Sequence, residues 1–120
     1  MSDNPSTSLE LVAISALVLG NKWTPRLIAH LTTGTARFCQ LQDAVGGINP
    51  RTLSKRLSDL EKWGVVIKTT FKDNPQRVEY TLTKKGKDLE PIIAQMHAWG
   101  EKYATDHRSK KSRKSSHEIK

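Results

Sequence analysis

From Leu9 to Leu19 almost every position is apolar: Leu9, Leu11, Val12, Ala13, Ile14, Ala16, Leu17, Val18 and Leu19. No turn residue interrupts the run, and Gly20-Asn21 closes it as a helix C-cap would. The pattern predicts a helix that is apolar all round, with more surface than one small core can bury. That surplus points to a partner subunit. Thr24-Pro25 reads as an N-cap followed by proline at the first helical position. Leu27, Ile28 and Leu31 give this second helix one apolar face, and Thr32-Thr33-Gly34 stops it. Phe38, Leu41, Gln42 and Val45 predict a third, short helix, ended by Gly46-Gly47.

Asn49-Pro50 repeats the cap-then-proline signal and opens a helix that runs to about Trp63 and stops at Gly64. Leu53, Leu57 and Leu60 are spaced i, i+4, i+7 and share one face. At about 100° per residue, Arg51, Lys55, Ser58 and Lys62 lie opposite that face. Thr52, Ser54, Arg56 and Asp59 fall on its flanks. The short break between the third and fourth helices makes the pair a helix-turn-helix candidate.

The periodicity then changes. Val65 to Phe71 is rich in β-branched residues, and Arg77 to Leu82 alternates in period two, with Val78, Tyr80 and Leu82 on one side. Asp73-Asn74-Pro75-Gln76 between them is turn chemistry, so the two runs predict a β-hairpin with a basic tip at Lys72 and Arg77. Thr83 caps a last helix, in which Pro91 predicts a kink or an early break. Ile92, Met96, Trp99 and Tyr103 make a continuous stripe along it, with Ile93 beside them. Residues 106–120, rich in Lys, Arg and Ser, read as a disordered basic tail, and residues 1–8 as a flexible start. One domain spans residues 9–105 between them.

Three helices, a basic helix, a hairpin and a final helix make a mainly α chain with a small β-hairpin. This is an α+β fold of the winged helix-turn-helix type. The 120 residues, 36% of them hydrophobic, fit one domain with a modest core. No apolar run approaches the roughly 18–20 residues that span a bilayer, and Met1 to Ser8 has no signal-peptide pattern. No membrane partner is expected, and the location expected is the cytoplasm, in association with the nucleoid. A single cysteine, Cys39, excludes an intramolecular disulfide and fits a reducing compartment.

Charge sharpens the picture because it is unevenly placed. The net +8 is absent from residues 1–48, where three basic and three acidic side chains cancel. Residues 49–87 hold ten basic and four acidic side chains, and residues 106–120 hold six and two. Residues 88–105 hold one basic and three acidic. A basic middle beside neutral, apolar segments suggests a face for a polyanion.

A winged helix suits duplex DNA, since the major groove admits one helix whose short polar or basic side chains reach base edges. Arg51, Thr52 and Ser54 lie near the start of the fourth helix, where such contacts are usually made, and Lys55 and Arg56 follow within a turn. Lys72 and Arg77 on the hairpin are placed for phosphates or the adjacent minor groove. The tail can add only unspecific attraction by counterion release.

Other chemistries find little support. His30, His97, His107 and His117 have no His, Cys or carboxylate at metal-site spacing, so no metal and no other cofactor are expected. There is no phosphate loop, nucleophile elbow or metalloprotease motif, so the chain does not read as an enzyme. Trp23, Trp63 and Trp99 read as core or interface anchors, and as the lining of a pocket for an unknown small-molecule effector only in second place.

An ordered set of residues goes further. Gly20-Asn21-Lys22-Trp23-Thr24 is followed by Arg37-Phe38 and Leu41, then by Ile48, Arg51-Thr52-Leu53, Arg56-Leu57, Leu60 and Gly64-Val65. Pro75, Arg77-Val78-Glu79-Tyr80, Leu82-Thr83, Gly86, Leu89 and Trp99-Gly100 complete it. Over roughly residues 9–103 the chain resembles the HxlR family of winged-helix transcriptional regulators, related to the MarR group. The resemblance implies a cytoplasmic homodimer on a palindromic operator, with the helix from Asn49 in the major groove. It implies a dimer interface on the first and last helices, which here places Leu9, Val12, Ile92, Met96, Trp99 and Tyr103 in contact with a second copy. Many members carry a cysteine about thirteen residues before the tryptophan of the Gly-x-Lys-Trp motif. Glu10 stands there in this chain, so cysteine-based sensing is not carried over. Cys39, beside Phe38, reads as a buried structural thiol.

The sequence therefore predicts a homodimeric regulator that binds double-stranded DNA sequence-specifically. The rivals are an architectural DNA- or RNA-binding winged helix without sequence choice, and a protein-interaction module that docks its apolar first helix on a different partner.

Overall fold

The structure is a computed structural model that describes the backbone of residues 7–72 and 75–117, with side chains through Asp106. The chain divides into two units between Glu90 and Pro91. The first holds α1 (Ser8–Leu19), α2 (Thr24–Leu31), β1 (Ala36–Arg37), α3 (Phe38–Val45), α4 (Pro50–Lys62), β2 (Val66–Phe71), β3 (Arg77–Leu82) and α5 (Lys84–Lys87). The second holds α6 (Glu90–His117) from Pro91 onward.

Capping hydrogen bonds start α1 to α5, not always where the sequence places them. Thr7 Oγ1 accepts from the Glu10 amide at 3.1 Å, and Glu10 Oε1 accepts from the Thr7 amide at 3.4 Å. This capping box starts α1 at Ser8; of the expected flexible start, residues 1–6 lie outside the described residues. At α2 the expected Thr24 cap is replaced. Asn21 Oδ1 accepts from the amides of Trp23 and Thr24 at 2.9 and 2.8 Å, while Thr24 is already helical and buried. Asparagine does this because its short side chain folds back onto the backbone two and three residues ahead.

The core is built by α2, α3, α4 and the sheet. Leu27, Ile28, Leu31, Leu41, Val45, Ile48, Leu53, Leu57 and Leu60 meet Ala36, Val65, Val66, Tyr80 and Leu82 there. The i, i+4, i+7 stripe of α4 is thus the face that is buried. β2 and β3 pair antiparallel from Val66↔Leu82 to Phe71↔Arg77. A third strand joins them: Ala36↔Tyr80 and Arg37↔Glu79 put β1 on the other edge of β3, giving the order β1-β3-β2. Two residues are too short to show a period, so the sequence predicts the hairpin alone.

Gly64 ends α4 with φ of 75°, a conformation costly for a residue with a Cβ. Val65 N donates to Leu60 O and Gly64 N to Glu61 O, the two bonds of a Schellman motif. α5 closes over this end. Thr83 Oγ1 donates to Gly64 O at 2.5 Å, and Lys85 Nζ donates to Trp63 O at 2.7 Å. Gly86 is packed so that a Cβ would collide with the Val65 carbonyl and lie 2.9 Å from Leu82 Cδ2.

Pro91 marks a break rather than a kink: α5 stops at Lys87, and the proline sits in the first turn of α6, where its missing N–H costs nothing. The helical backbone then continues to His117, whereas composition predicts disorder from residue 106. No Gly or Pro follows Gly100, and Lys and Arg are good helix formers, so nothing local ends the helix. Residues 118–120 lie outside the described residues.

Candidate nucleic-acid interface

The turn before α4 is made by Gly46 and Gly47, with φ of 68° and 79°, followed by Ile48 buried in the core. Asn49 Oδ1 accepts from the Thr52 amide at 2.9 Å and fixes the first turn of the helix. With Leu53, Leu57 and Leu60 inward, α4 must present its other side to solvent. Arg51, Ser54, Lys55, Ser58 and Lys62 are exposed, and Thr52, Arg56 and Asp59 are half-buried at the margins. The sequence-predicted face and flanks are those observed, except that Ser54 joins the exposed face. α4 packs on β2, so the basic helix and the hairpin belong to one unit.

The basic surplus of residues 49–87 is not all directed outward. Lys55 Nζ lies 2.8 Å from Asp59 Oδ1, one helical turn ahead. Lys84 pairs with Asp88 at 2.8 Å, and Lys85 caps α4. Arg77 stacks on Phe71 with Cζ 4.2 Å from the ring centre, and its Nε lies 3.0 Å from Glu79 Oε2. Arg51 and Lys72 are exposed, and residues 73–74 of the hairpin tip lie outside the described residues. The chain thus brings Arg51, Thr52, Ser54, Lys55 and Arg56 together on one helix and keeps Lys72 and Arg77 on the hairpin.

Sequence reasoning misses the clamping of Lys55 and Arg77. Asp59 four residues after Lys55 is a readable signal for the first. The second depends on strand register. Burial, and after it the Glu61 carboxylate, push the Tyr80 phenol above its ordinary value.

Cys39 corrects an expectation: the thiol is exposed. Phe38, Leu41, Gln42 and Val45 form the inward side of α3, and position 39 falls outside that stripe. None of the three tryptophans is a core residue. Trp23 is half-buried, with Lys22 Nζ 4.6 Å and Arg26 Cζ 5.6 Å from its ring centre. Trp63 is half-buried at the end of α4, and Trp99 is exposed and packs against Tyr103 with ring centres 5.1 Å apart and planes tilted by 44°. Among the described residues no group of three His, Cys, Asp or Glu side chains could hold a metal ion.

The two apolar helices are described separately, since they lie in different units. On α1 no residue is buried: Leu9 and Val12 are 82% and 64% exposed, and Leu11, Ile14 and Leu17 are also open. On α6, Ile92, Met96 and Trp99 are exposed and Tyr103 is half-buried. Among the described residues no helix is long and apolar enough to cross a membrane.

Comparison with known proteins gives this arrangement a context. The family model described as HxlR-like helix-turn-helix matches residues 18–108. YdeP of Bacillus subtilis (strain 168), named as an uncharacterized HTH-type transcriptional regulator, is 41% identical over 86 residues, 72% of this chain and 67% of that one. The structure of the redox regulator HypR in its reduced form superposes with a TM-score of 0.77 at 35% identity, covering 82% of this chain and 98% of that one. A transcriptional regulator of the MarR family from Enterococcus faecalis V583 superposes with a TM-score of 0.72 at 33% identity, covering 90% and 99%. The matched stretch takes in every element from α2 to α5, with the helix-turn-helix, the basic face of α4 and the hairpin. The chain belongs to the HxlR-like helix-turn-helix family of transcriptional regulators.

Proposed function

We propose that the protein is a homodimeric, sequence-specific regulator that binds a palindromic double-stranded operator and acts in the cytoplasm on the nucleoid. The observation that carries this reading is α4: its leucines are sealed in the core while Arg51, Ser54 and Lys55 face solvent from its first two turns. A helix held this way can enter a major groove without giving up any packing. Arg51, Thr52, Ser54 and Arg56 then lie against base edges or the groove wall, and Lys55, Lys72 and Arg77 against phosphates. The family supplies DNA binding and regulation, and no enzymatic chemistry enters the proposal.

The dimer is supported by exposed apolar surface. A chain in water rarely leaves a helix with Leu9, Leu11, Val12, Ile14 and Leu17 all open to solvent. A second copy covering α1, and Ile92, Met96, Trp99 and Tyr103 of α6, removes that exposure. Two-fold symmetry then separates the half-sites by about 34–36 Å, one turn of the duplex. Selection of bound duplexes from a random pool tests the whole reading. An inverted repeat is expected. Recovery without sequence preference would instead favour an architectural binder.

A further inference from the structure

Lys55 and Arg56 are neighbours on α4, and their donors are treated differently. The Lys55 ammonium donates to both oxygens of Asp59, at 2.8 and 3.0 Å. Nε of Arg56 is buried and makes no hydrogen bond, alone in this among the buried side-chain polar atoms of the described residues. Asp59 stands four residues after Lys55 and three after Arg56, and both spacings bring side chains together on a helix. Its side chain is 14% exposed, whereas that of Lys55 is 66% exposed. One shielded carboxylate therefore has two donors at neighbouring helical positions and serves the more exposed of them.

That allocation suits a free protein and not a DNA-bound one. An ammonium largely in water is weakly held by a carboxylate, and a duplex phosphate competes for it directly. A buried guanidinium N–H without a partner is costly, and a carboxylate has room for several donors. We propose that Asp59 is a positioning residue that exchanges partners when α4 meets double-stranded DNA. Lys55 leaves it for a backbone phosphate. The released carboxylate accepts from Nε of Arg56 and fixes the guanidinium for base reading. The inference rests on α4 being the recognition helix. It gives a reason for an acidic residue on a helix that approaches a polyanion: Asp59 lowers unspecific attraction and couples phosphate contact to the ordering of Arg56.

The full-length chain and its isosteric variant Asp59→Asn test this. Two probes are used: the duplex that the unmodified chain selects from a random pool, and a scrambled duplex of equal composition. Asp59→Asn is expected to bind the scrambled duplex several-fold more tightly, because Lys55 is released and one negative charge is gone. Its affinity for the selected duplex should not rise, so discrimination falls at least several-fold. Asp59→Glu, which keeps the carboxylate, restores most of the ratio. In the unmodified chain the nitrogen-15 Nε–H resonance of Arg56 should move downfield when the selected duplex is added, and it should stay in place in Asp59→Asn. An unchanged ratio, equal tightening on both duplexes, or an Nε–H signal that ignores DNA overturns the exchange. An unmodified chain with no preference for any duplex overturns the reading of α4 as well, which separates the two failures.

Discussion

Arg77 and Phe71 are register partners across the hairpin, with the guanidinium carbon 4.2 Å from the ring centre. The same guanidinium reaches Glu79 through Nε at 3.0 Å, so ring and carboxylate hold it from two sides. An arginine held this way loses less freedom on meeting DNA than one on a loose stem. Phe71→Ala is expected to weaken binding of the selected duplex about two- to fivefold, the equivalent of about 0.5–1 kcal/mol for an exposed cation–π contact. Arg77→Ala should weaken it more. Anisotropy titrations of both variants check this, and equal affinities for Phe71→Ala and the unmodified chain would show that the stacking is only decorative to binding.

Arg51 is the exposed cation nearest the start of α4. Its substitution by alanine should cost about 1–3 kcal/mol on the selected duplex and far less on a scrambled one. Competition titrations at fixed salt decide it. Equal losses on the two duplexes would assign Arg51 to phosphate alone.

Gly86 ties α5 to the end of α4. A methyl group there meets the Val65 carbonyl and the Leu82 side chain, in a region bonded by Thr83 and Lys85 to the same helix end. Gly86→Ala should destabilise the fold by about 1–3 kcal/mol through overpacking. A shifted urea midpoint with an unchanged slope is the expected signature. An unshifted midpoint would mean that α5 moves aside freely.

Met96 and Trp99 are exposed on α6. Met96→Asp or Trp99→Asp is expected to give monomers in sedimentation and to lose the selected duplex, because a buried unpaired charge opposes association. A variant that remains dimeric would leave α1 as the only interface. Leu17→Asp, on α1, tests that helix in the same way.

Much of the fold is legible in the sequence because its signals are local. The leucine spacing of α4, the Asn49 cap, the glycine stops and the alternation of Val78, Tyr80 and Leu82 all act within a few residues. These signals suffice to place the helix-turn-helix and the hairpin along the chain. β1 is not legible, since two residues become a strand only when Tyr80 and Glu79 lie alongside. Cys39 is misread for a similar reason: its neighbour Phe38 lies on the inward stripe, and one residue of rotation carries the thiol outside it.

Net charge marks the same division. Ten basic residues in positions 49–87 are a property of the sequence, as is the apolar run of α1. Which cations face outward is decided by folding. Arg51 is left in water, while Arg77 is held by a ring opposite it in the sheet and Lys85 by a carbonyl at the end of another helix. Periodicity and capping operate along the chain and can be read from it. Partnerships between residues distant in sequence exist only after the core has closed and brought the backbones together.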